Sequence, residues 1–465
     1  MPEMELQIES IGFEGVSIAR YDGKVHFIEG GIPGDNVRVR IHKNKSSYAE
    51  GKIIEVITPS DRRVAPKCLH FGTCGGCKWQ HLNYDDQLMW KRNHVIDSFE
   101  RLGKIPYGSV METMPSPKTF NYRNKMEFSF GASRWLTANE MDDETVVRDF
   151  ALGLHAPGRF DKVLDIEECH LADDRTSSVL KTIRNKAMEL GVTAHHARHH
   201  TGFLRNLIIR TAQNGSEFMI ALITSSPKEE SDDDFMQWFK DEFRNAFPSL
   251  TSLLWAVTDS LSGVAIGEIR WYAGNTFITE FIKDISFRIS PFSFFQTNGV
   301  QLEPFIDAII KTASLQSEDT VWDCYCGAGS ITLPASKHCK KIIGFELSES
   351  SIKDAELNKT HNGITNAQFF HEDLHKQKAI EKLSSLEKPD VVILDPPRAG
   401  IHEMLLKHLL QLEVPKIVYV SCNPATQARD CAILFEKYDV QTLQPVDMFP
   451  HTYHVENIAL LTLKK

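Results

Sequence analysis

Lys416-Ile-Val-Tyr-Val-Ser-Cys-Asn-Pro424 is the stretch on which the reading of this chain turns. Residues 416–420 are a short apolar run rich in β-branched and aromatic side chains, the mark of a strand buried in a parallel sheet. Cys422-Asn423-Pro424 then breaks it into a turn. Ligands and reacting groups of open parallel sheets gather where the strands end. A thiol at that place is either an inert packing group or a nucleophile, and its surroundings decide which.

Working outward, the chain from Asp319 onward repeats strand, turn and helix. Strands are expected at Thr320 to Tyr325, Lys341 to Glu346, Ala367 to His371, Val391 to Leu394 and Ile417 to Ser421, with helices over Ser330 to His338 and Ser348 to Thr360. That order predicts a doubly wound, mostly parallel sheet. Asp323-Cys-Tyr-Cys-Gly-Ala-Gly329 follows the first strand, and the acidic Glu346 ends the second. Glycines let the backbone approach a ligand, and the carboxylate accepts both ribose hydroxyls. The third glycine of the dinucleotide fingerprint and the Walker lysine are both missing, so adenosine without a pyrophosphate, as in S-adenosylmethionine, fits best. Cys324 and Cys326 read as packing residues. Leu394-Asp-Pro-Pro-Arg-Ala-Gly400 closes the next strand with a loop stiffened by two prolines.

A second signal is Cys68-x5-Cys74-x2-Cys77, joined much later by Cys169. Three thiols within ten residues, separated by two glycines, form a metal-site pattern, and four thiolates suit either a zinc ion or an iron–sulfur cluster. The three-plus-one arrangement favours a four-iron cluster, with zinc as the competitor. Radical enzymes that cleave S-adenosylmethionine space their cysteines differently, so a closed cluster is expected.

The first 60 residues show short alternating runs (Val25 to Ile28, Asn36 to Ile41, Lys52 to Ile57) parted by Gly-rich turns, which suggests a small oligonucleotide-binding-type barrel. The Lys43-Asn44-Lys45 loop is where phosphate contact is expected. In the middle, helical patterns at Gln87 to Arg101 and Arg175 to Leu190 alternate with strands at Arg123 to Phe130, Leu204 to Thr211 and Glu217 to Ile223. Phe120 to Lys125 reads either as an RNA-stacking stretch or as an ordinary strand edge. The acidic runs Glu140 to Glu144 and Glu229 to Asp234 read as solvated loops. His195, His196, His199 and His200 lie among Arg198, Arg205 and Arg210, so a local basic face is expected although the net charge is −10. A metal at these histidines is disfavoured because no carboxylate or cysteine stands at ligand spacing.

With 465 residues, 42% apolar and 25% charged, two to four domains are expected. No apolar run is long enough to cross a bilayer, and charges stand where a signal peptide would need an apolar segment, so the expected location is the cytoplasm, away from membranes. Nine cysteines without a signal argue against a disulfide framework.

Cys422, Asp395-Pro-Pro-Arg-Ala-Gly400, Ser293-Phe-Phe-Gln-Thr-Asn298 and His454-Val-Glu-Asn457 stand in one order, and together they resemble the RNA uracil-5-methyltransferases. The likeness is to the ribosomal RNA branch that carries a TRAM domain and a four-iron, four-sulfur cluster, and it runs from about residue 5 to 463. It implies a TRAM barrel at 1–60, a central α/β RNA-binding domain with the cysteine site at 61–285, and a Rossmann-like methyltransferase domain at 286–465. By the resemblance, Cys68, Cys74, Cys77 and Cys169 ligate the cluster. Gln296, Tyr325, Ser330, Glu346, Asp373 and Asp395 contact S-adenosylmethionine, Cys422 is the nucleophile and Glu456 the base. Tyr325, Ser330 and Asp373 stand where relatives often have Phe, Asn and Asn. The transfer RNA branch typically lacks the barrel and cluster, so 23S ribosomal RNA is the expected partner of a monomeric enzyme. The alternatives are the same reaction on transfer RNA, an exocyclic-amine methyltransferase that would need no thiol, and a non-catalytic RNA-binding assembly factor.

Overall fold

A computed structural model describes residues 3–212 and 216–465. The chain forms two compact units: Met1–Pro66, Cys77–Pro117 and Gln301–Lys465 in one, Lys67–Gly76 and Lys118–Val300 in the other.

The first unit begins with a six-stranded sheet whose order is Glu3–Gln7, Asn36–Asn44, Tyr48–Thr58, Lys24–Glu29, Ser17–Tyr21, Ser10–Ile11. Its alternation buries Leu6, Ile8, Ala19, Ile28, Val37, Val39, Ile41 and Ala49 in one small core, as the period-two pattern requires. Lys43, expected in a loop, lies in the strand Asn36–Asn44, ion-paired to Glu50 at 2.6 Å with its ammonium over the Tyr48 ring.

The C-terminal part of this unit is an eight-stranded sheet. Its order is Ala367–His371, Lys341–Glu346, Thr320–Cys324, Val391–Leu394, Lys416–Ser421, Glu456–Leu463, Tyr438–Val446, Tyr107–Val110. The first five strands are parallel. The pair 416–421/456–463 is antiparallel, as is 438–446/456–463. The central strands are buried on both faces, which is why they read as continuous apolar runs.

Residues 77–117, which the sequence assigns to the central domain, fold with this sheet. Tyr107–Val110 is its edge strand, and the helix Tyr84–Asp97 packs on it through Val95. Its Lys91 ammonium, fully buried, bonds Asp447 Oδ1 at 2.5 Å and the Phe449 carbonyl at 3.0 Å. Such a pair between segments more than 300 residues apart has no signature in local periodicity.

The second unit holds an eight-stranded mixed sheet in the order Glu268–Gly274, Ser252–Val257, Phe218–Thr224, Leu204–Thr211, Lys125–Gly131, Ala151–His155, Val163–Asp165, Arg134–Trp135. Helices Arg175–Glu189 and Glu230–Asp241 bury Val179, Leu180, Ile183, Phe235, Met236 and Phe239 against it. The acidic run at 229–234 therefore opens a helix rather than a loop. Glu229 and Asp232 cap it reciprocally, and carboxylates in a first turn oppose the positive end of the helix dipole. The hairpin Ile278–Ile282/Ile285–Ile289 and the segment to Val300 also belong to this unit, so the observed boundary falls later than residue 286.

Candidate active site

The strand Lys416–Ser421 is followed after two residues by the helix Pro424–Leu434, with proline in its first turn and Asn423 as cap, its side chain accepting from the Ala425 N–H. Cys422 occupies the corner between them. The register of the neighbouring antiparallel strand sets Ser421 opposite Asn457, so the next step along the pair brings Cys422 to Glu456. Beneath the corner, buried Asn457 Nδ2 donates to Gln427 Oε1 at 2.7 Å, while Gln427 Nε2 donates to the carbonyls of Tyr419 (2.8 Å) and Asn457 (3.1 Å). The strand Lys416–Ser421, the helix and the strand Glu456–Leu463 are thus locked together by a paired polar network.

The rigid loop 395–400 is fastened to the same corner. Asn423 Nδ2 and Thr426 Oγ1 donate to the Arg398 carbonyl at 3.2 Å each, and Arg429 donates to the Ala399 carbonyl at 2.9 Å. Buried Asp430 accepts from the Ile401 N–H at 2.7 Å and from the Tyr419 hydroxyl at 2.8 Å. Gly400 turns with φ +85°, and a Cβ there would come within 2.5 Å of both Arg429 and Asp430, so only glycine lets the loop close this tightly. The loop brings the Arg398 guanidinium near enough to the thiol for its charge to favour the thiolate.

Burial, then the charges of Glu456 and Asp395, push the Cys422 thiol up to about 11, and Arg398 opposes them. Glu456, 5% exposed, is raised to about 8 by burial first and by Asp395, again against Arg398. Burial raises Asp395 to about 7. Two carboxyl groups with elevated pKa values beside a thiol and one guanidinium are a cluster suited to proton transfer near neutral pH. Arg398, absent from the site residues expected from sequence, supplies the cation that no segment flanking Cys422 offers. Lys91 and Asp447 were also missed. Asp447 accepts from Tyr84 at 2.9 Å and from the Phe449 N–H at 3.0 Å, and Gln87 Oε1 accepts from the His451 N–H at 2.8 Å. Those bonds hold 447–455, the segment that leads into Glu456.

The turn after the strand Thr320–Cys324, expected from sequence to hold a nucleoside, lies in the same unit. The Gly327 N–H donates to Glu346 Oε2 at 3.1 Å and the Ser348 N–H to Oε1 at 2.8 Å, so the acid at the end of the second strand is anchored from both sides. Tyr325 adopts φ +69°, a conformation costly for a non-glycine residue and typical of functional turns. Burial raises its phenol, and its hydroxyl is a buried atom without a hydrogen-bond partner. Ser330, in the turn after Gly329, is half-buried. Asp373 follows the strand Ala367–His371 and accepts from the His375 N–H at 3.1 Å. The Asp395 N–H bonds the Cys324 carbonyl at 3.2 Å, tying the loop to the central strand. Cys324 and Cys326 are buried, as packing residues should be. Gln296 belongs to the second unit, where its carbonyl accepts from Asn124 Nδ2 at 3.0 Å.

Cys68, Cys74 and Cys169, all half-buried in the second unit, lie near enough that Cys169 raises both of the other thiols in addition to the larger effect of burial. Leu69 N–H donates to Glu168 at 3.1 Å and Glu167 N–H to His70 at 3.0 Å, which ties the cysteine loop to the segment bearing Cys169. Cys77 follows Cys74 by three residues and is half-buried in the first unit. Among the described residues, no three His, Cys, Asp or Glu side chains are grouped as ligands of a single metal ion.

The basic face expected around 195–210 is smaller than its sequence suggests. Arg210 is buried and donates to the carbonyls of Pro291 and Ser293, and Arg205 to those of Thr258 (3.0 Å) and Ser262 (2.7 Å). In the stretch 120–125, Tyr122 and Asn124 are buried and cannot stack on RNA.

A family model described as tRNA (Uracil-5-)-methyltransferase matches residues 275–464, and the TRAM domain matches residues 2–54. The chain is 43% identical over 433 residues to an RNA methyltransferase of Chlorobaculum tepidum, covering 92% of this chain and 89% of that one. It is 38% identical to an RNA methyltransferase of Bacteroides thetaiotaomicron over 97% of this chain and 99% of the relative. The solved structure of Pyrococcus abyssi tRNA (uracil-54, C5)-methyltransferase in complex with S-adenosyl-L-homocysteine is similar with a TM-score of 0.75 and 27% identity, over 99% of this chain and 100% of that one. Active-site corner, nucleoside turn, TRAM domain and full-length relatives agree: the chain belongs to the RNA uracil-5-methyltransferase family.

Proposed function

We propose that this enzyme methylates carbon 5 of a uridine in RNA, with S-adenosylmethionine as methyl donor and a covalent adduct between Cys422 and carbon 6 of the uracil. The observation that carries the proposal is the convergence of Cys422, Arg398, Asp395 and Glu456 at one sheet edge. Carbon 5 of uracil is a weak nucleophile. Addition of the Cys422 thiolate to carbon 6 forms an S–C bond and moves the π pair of the 5,6 double bond into an enolate, which makes carbon 5 nucleophilic. S-adenosylmethionine supplies an electrophilic methyl carbon, and the sulfur that loses it leaves as a neutral thioether. Glu456 then takes the proton from carbon 5. The released pair restores the double bond and expels the Cys422 thiolate. A carboxyl group poised near 8 both accepts and releases protons around neutral pH. Arg398 stabilises the thiolate at the start and again at the end.

Gln296, Tyr325, Ser330, Glu346, Asp373 and Asp395 are the proposed contacts to the methyl donor. The uridine is presented unstacked, because carbon 6 is unreachable within a duplex. Cys68, Cys74 and Cys169, with Cys77, are the proposed ligands of a four-iron, four-sulfur cluster. The mutual approach of three thiols supports that donor set. The cluster would cross-link the loop, and no step of the transfer needs an electron.

Ribosomal RNA is the proposed substrate, on the strength of the cysteine set. Transfer RNA is the second reading, favoured by the full-length likeness to a tRNA methyltransferase, which takes away the N-terminal sheet as a discriminator. Incubation of the protein with labelled S-adenosylmethionine and separate 23S and transfer RNA transcripts, followed by nucleoside analysis, decides between them. Label in 5-methyluridine is expected, in 23S RNA. Label in an exocyclic-amine product, or in no nucleoside, would overturn the proposal.

A further inference from the structure

The second unit contains an open cleft of about 800 Å³, lined by Phe130, His155, Arg159, Phe160, His195 and His200 among others. The volume lies within the roughly 300–1,000 Å³ usual for ligand clefts. At its rim stand Phe160, 69% exposed, and Leu261, 71% exposed. Isolated exposed apolar residues are ordinary, but here an aromatic and an aliphatic side chain border one concave surface. The lining also includes small residues, among them Gly131, Ala132, Ala156, Gly158 and Gly263.

The polar lining is cationic or neutral. Asp161 is the one carboxylate among the lining residues described. It is held by Arg159 at 3.2 Å and by Arg198 at 2.6 Å, and the first of these holds its carboxyl down to about 2. Arg205 also lines the cleft, its guanidinium held by the carbonyls of Thr258 and Ser262. His195 is kept neutral at physiological pH because burial, and then Arg205, lower it to about 4. The cleft therefore combines an exposed aromatic face, more guanidinium than carboxylate groups and the neutral His195 ring. An acidic small molecule would need no aromatic rim.

We propose that this cleft binds an unpaired nucleotide of the RNA substrate, with Phe160 stacking on the base and Arg159 contacting the adjoining phosphate. It rests on the reading that RNA is the substrate, and it adds a recognition point in the unit that carries neither Cys422 nor Glu456. Base stacking on an aromatic ring tolerates any sequence, whereas the neutral His195 ring offers one donor and one acceptor that discriminate base edges.

The test is direct binding of the full-length protein to a fluorescein-labelled single-stranded RNA of about ten nucleotides, within the site sizes usual for such grooves. Phe160→Ala is expected to raise Kd about ten-fold, and Tyr272→Ala, an exposed aromatic on the strand Glu268–Gly274 outside the lining, to leave it unchanged. Arg159→Ala should lower the slope of log Kd against log salt by about 0.7, the single-strand value for one lost phosphate contact, and Arg159→Lys should restore it. Ultraviolet cross-linking of the same RNA carrying 4-thiouridine should label the peptide around Phe160. Unchanged Kd in both Phe160→Ala and Arg159→Ala would overturn the inference, as would equal losses in Phe160→Ala and Tyr272→Ala. The readout needs no turnover. Phe160-dependent binding without methyl transfer would sink the catalytic reading alone, and methyl transfer with Phe160-independent binding would sink this one alone.

Discussion

Replacing Arg398 with alanine should slow formation of the Cys422 thiolate by a predictable amount. The guanidinium opposes the burial and carboxylate charges that hold Cys422 at about 11. An opposite charge close to a titrating group shifts its pKa by about one to three units. Arg398 is itself exposed, so solvent screening favours the lower end, about one unit. Thiolate at a given pH below the midpoint then falls about ten-fold. A more basic thiolate is also more nucleophilic, with a Brønsted coefficient of about 0.4–0.5, so the net fall in alkylation rate is about three-fold. The assay is iodoacetamide labelling of the Cys422 peptide, followed by mass spectrometry across about pH 7 to 10, where thiolate is the reacting form. At each pH in this range the labelling rate should fall about three-fold, and Arg398→Lys, which keeps the charge but loses the fork, should lie between variant and parent. Identical rates in parent and Arg398→Ala would refute the assignment of Arg398 as the thiolate's partner.

Lys91→Met leaves Asp447 buried without its cation, and the expected loss of stability is about 3–5 kcal/mol, read as a lower urea midpoint; a change below about 1 kcal/mol would show that the pair does not anchor the segment leading to Glu456. The Glu456 carboxyl is raised in the folded state to about 8, so between its ordinary value and about 8 the folded protein keeps a proton that the unfolded chain has released. Stability should therefore fall as pH rises through that window, and Glu456→Gln should match the parent near pH 4 yet exceed it above about 8, by at most a few kcal/mol because Asp395 shares the proton; equal melting temperatures at alkaline pH would contradict this. Anaerobically purified protein should carry about four irons per chain with broad visible absorbance, both lost in Cys74→Ser; stoichiometric zinc without absorbance would replace the cluster with a zinc site.

Most of the methyltransferase sheet was legible because parallel strands buried on both faces write themselves as apolar runs. The strands at 341–346, 367–371 and 391–394 have the bounds expected from sequence. Cys422 and Glu456 were recognised through motif likeness, and the register of Ser421 against Asn457 then gives their juxtaposition a physical basis. Other features were hidden for identifiable reasons. Arg398 sits within a recognised loop, but only the closure forced by Gly400 and Asp430 turns it to the thiol. The strand Tyr107–Val110 is short and pairs with Tyr438–Val446 across more than 300 residues, so local pattern carries no sign of it. Arg205 and Arg210 looked like surface charge because composition cannot tell a guanidinium in water from one spent on backbone carbonyls. The acidic run at 229–234 misled similarly, since a capped helix start and a solvated loop favour the same residues.

The account's central claim is the covalent bond between Cys422 and uracil, and trapping it is the most direct test. Glu456→Gln cannot remove the carbon 5 proton, so incubation with RNA and S-adenosylmethionine should accumulate a protein–RNA complex that survives denaturant, with the methylated uridine joined to the peptide containing Cys422. The complex should be absent from the double variant Cys422→Ala/Glu456→Gln. A denaturant-stable complex that persists without Cys422, or full methyl transfer by Cys422→Ala, would contradict the account.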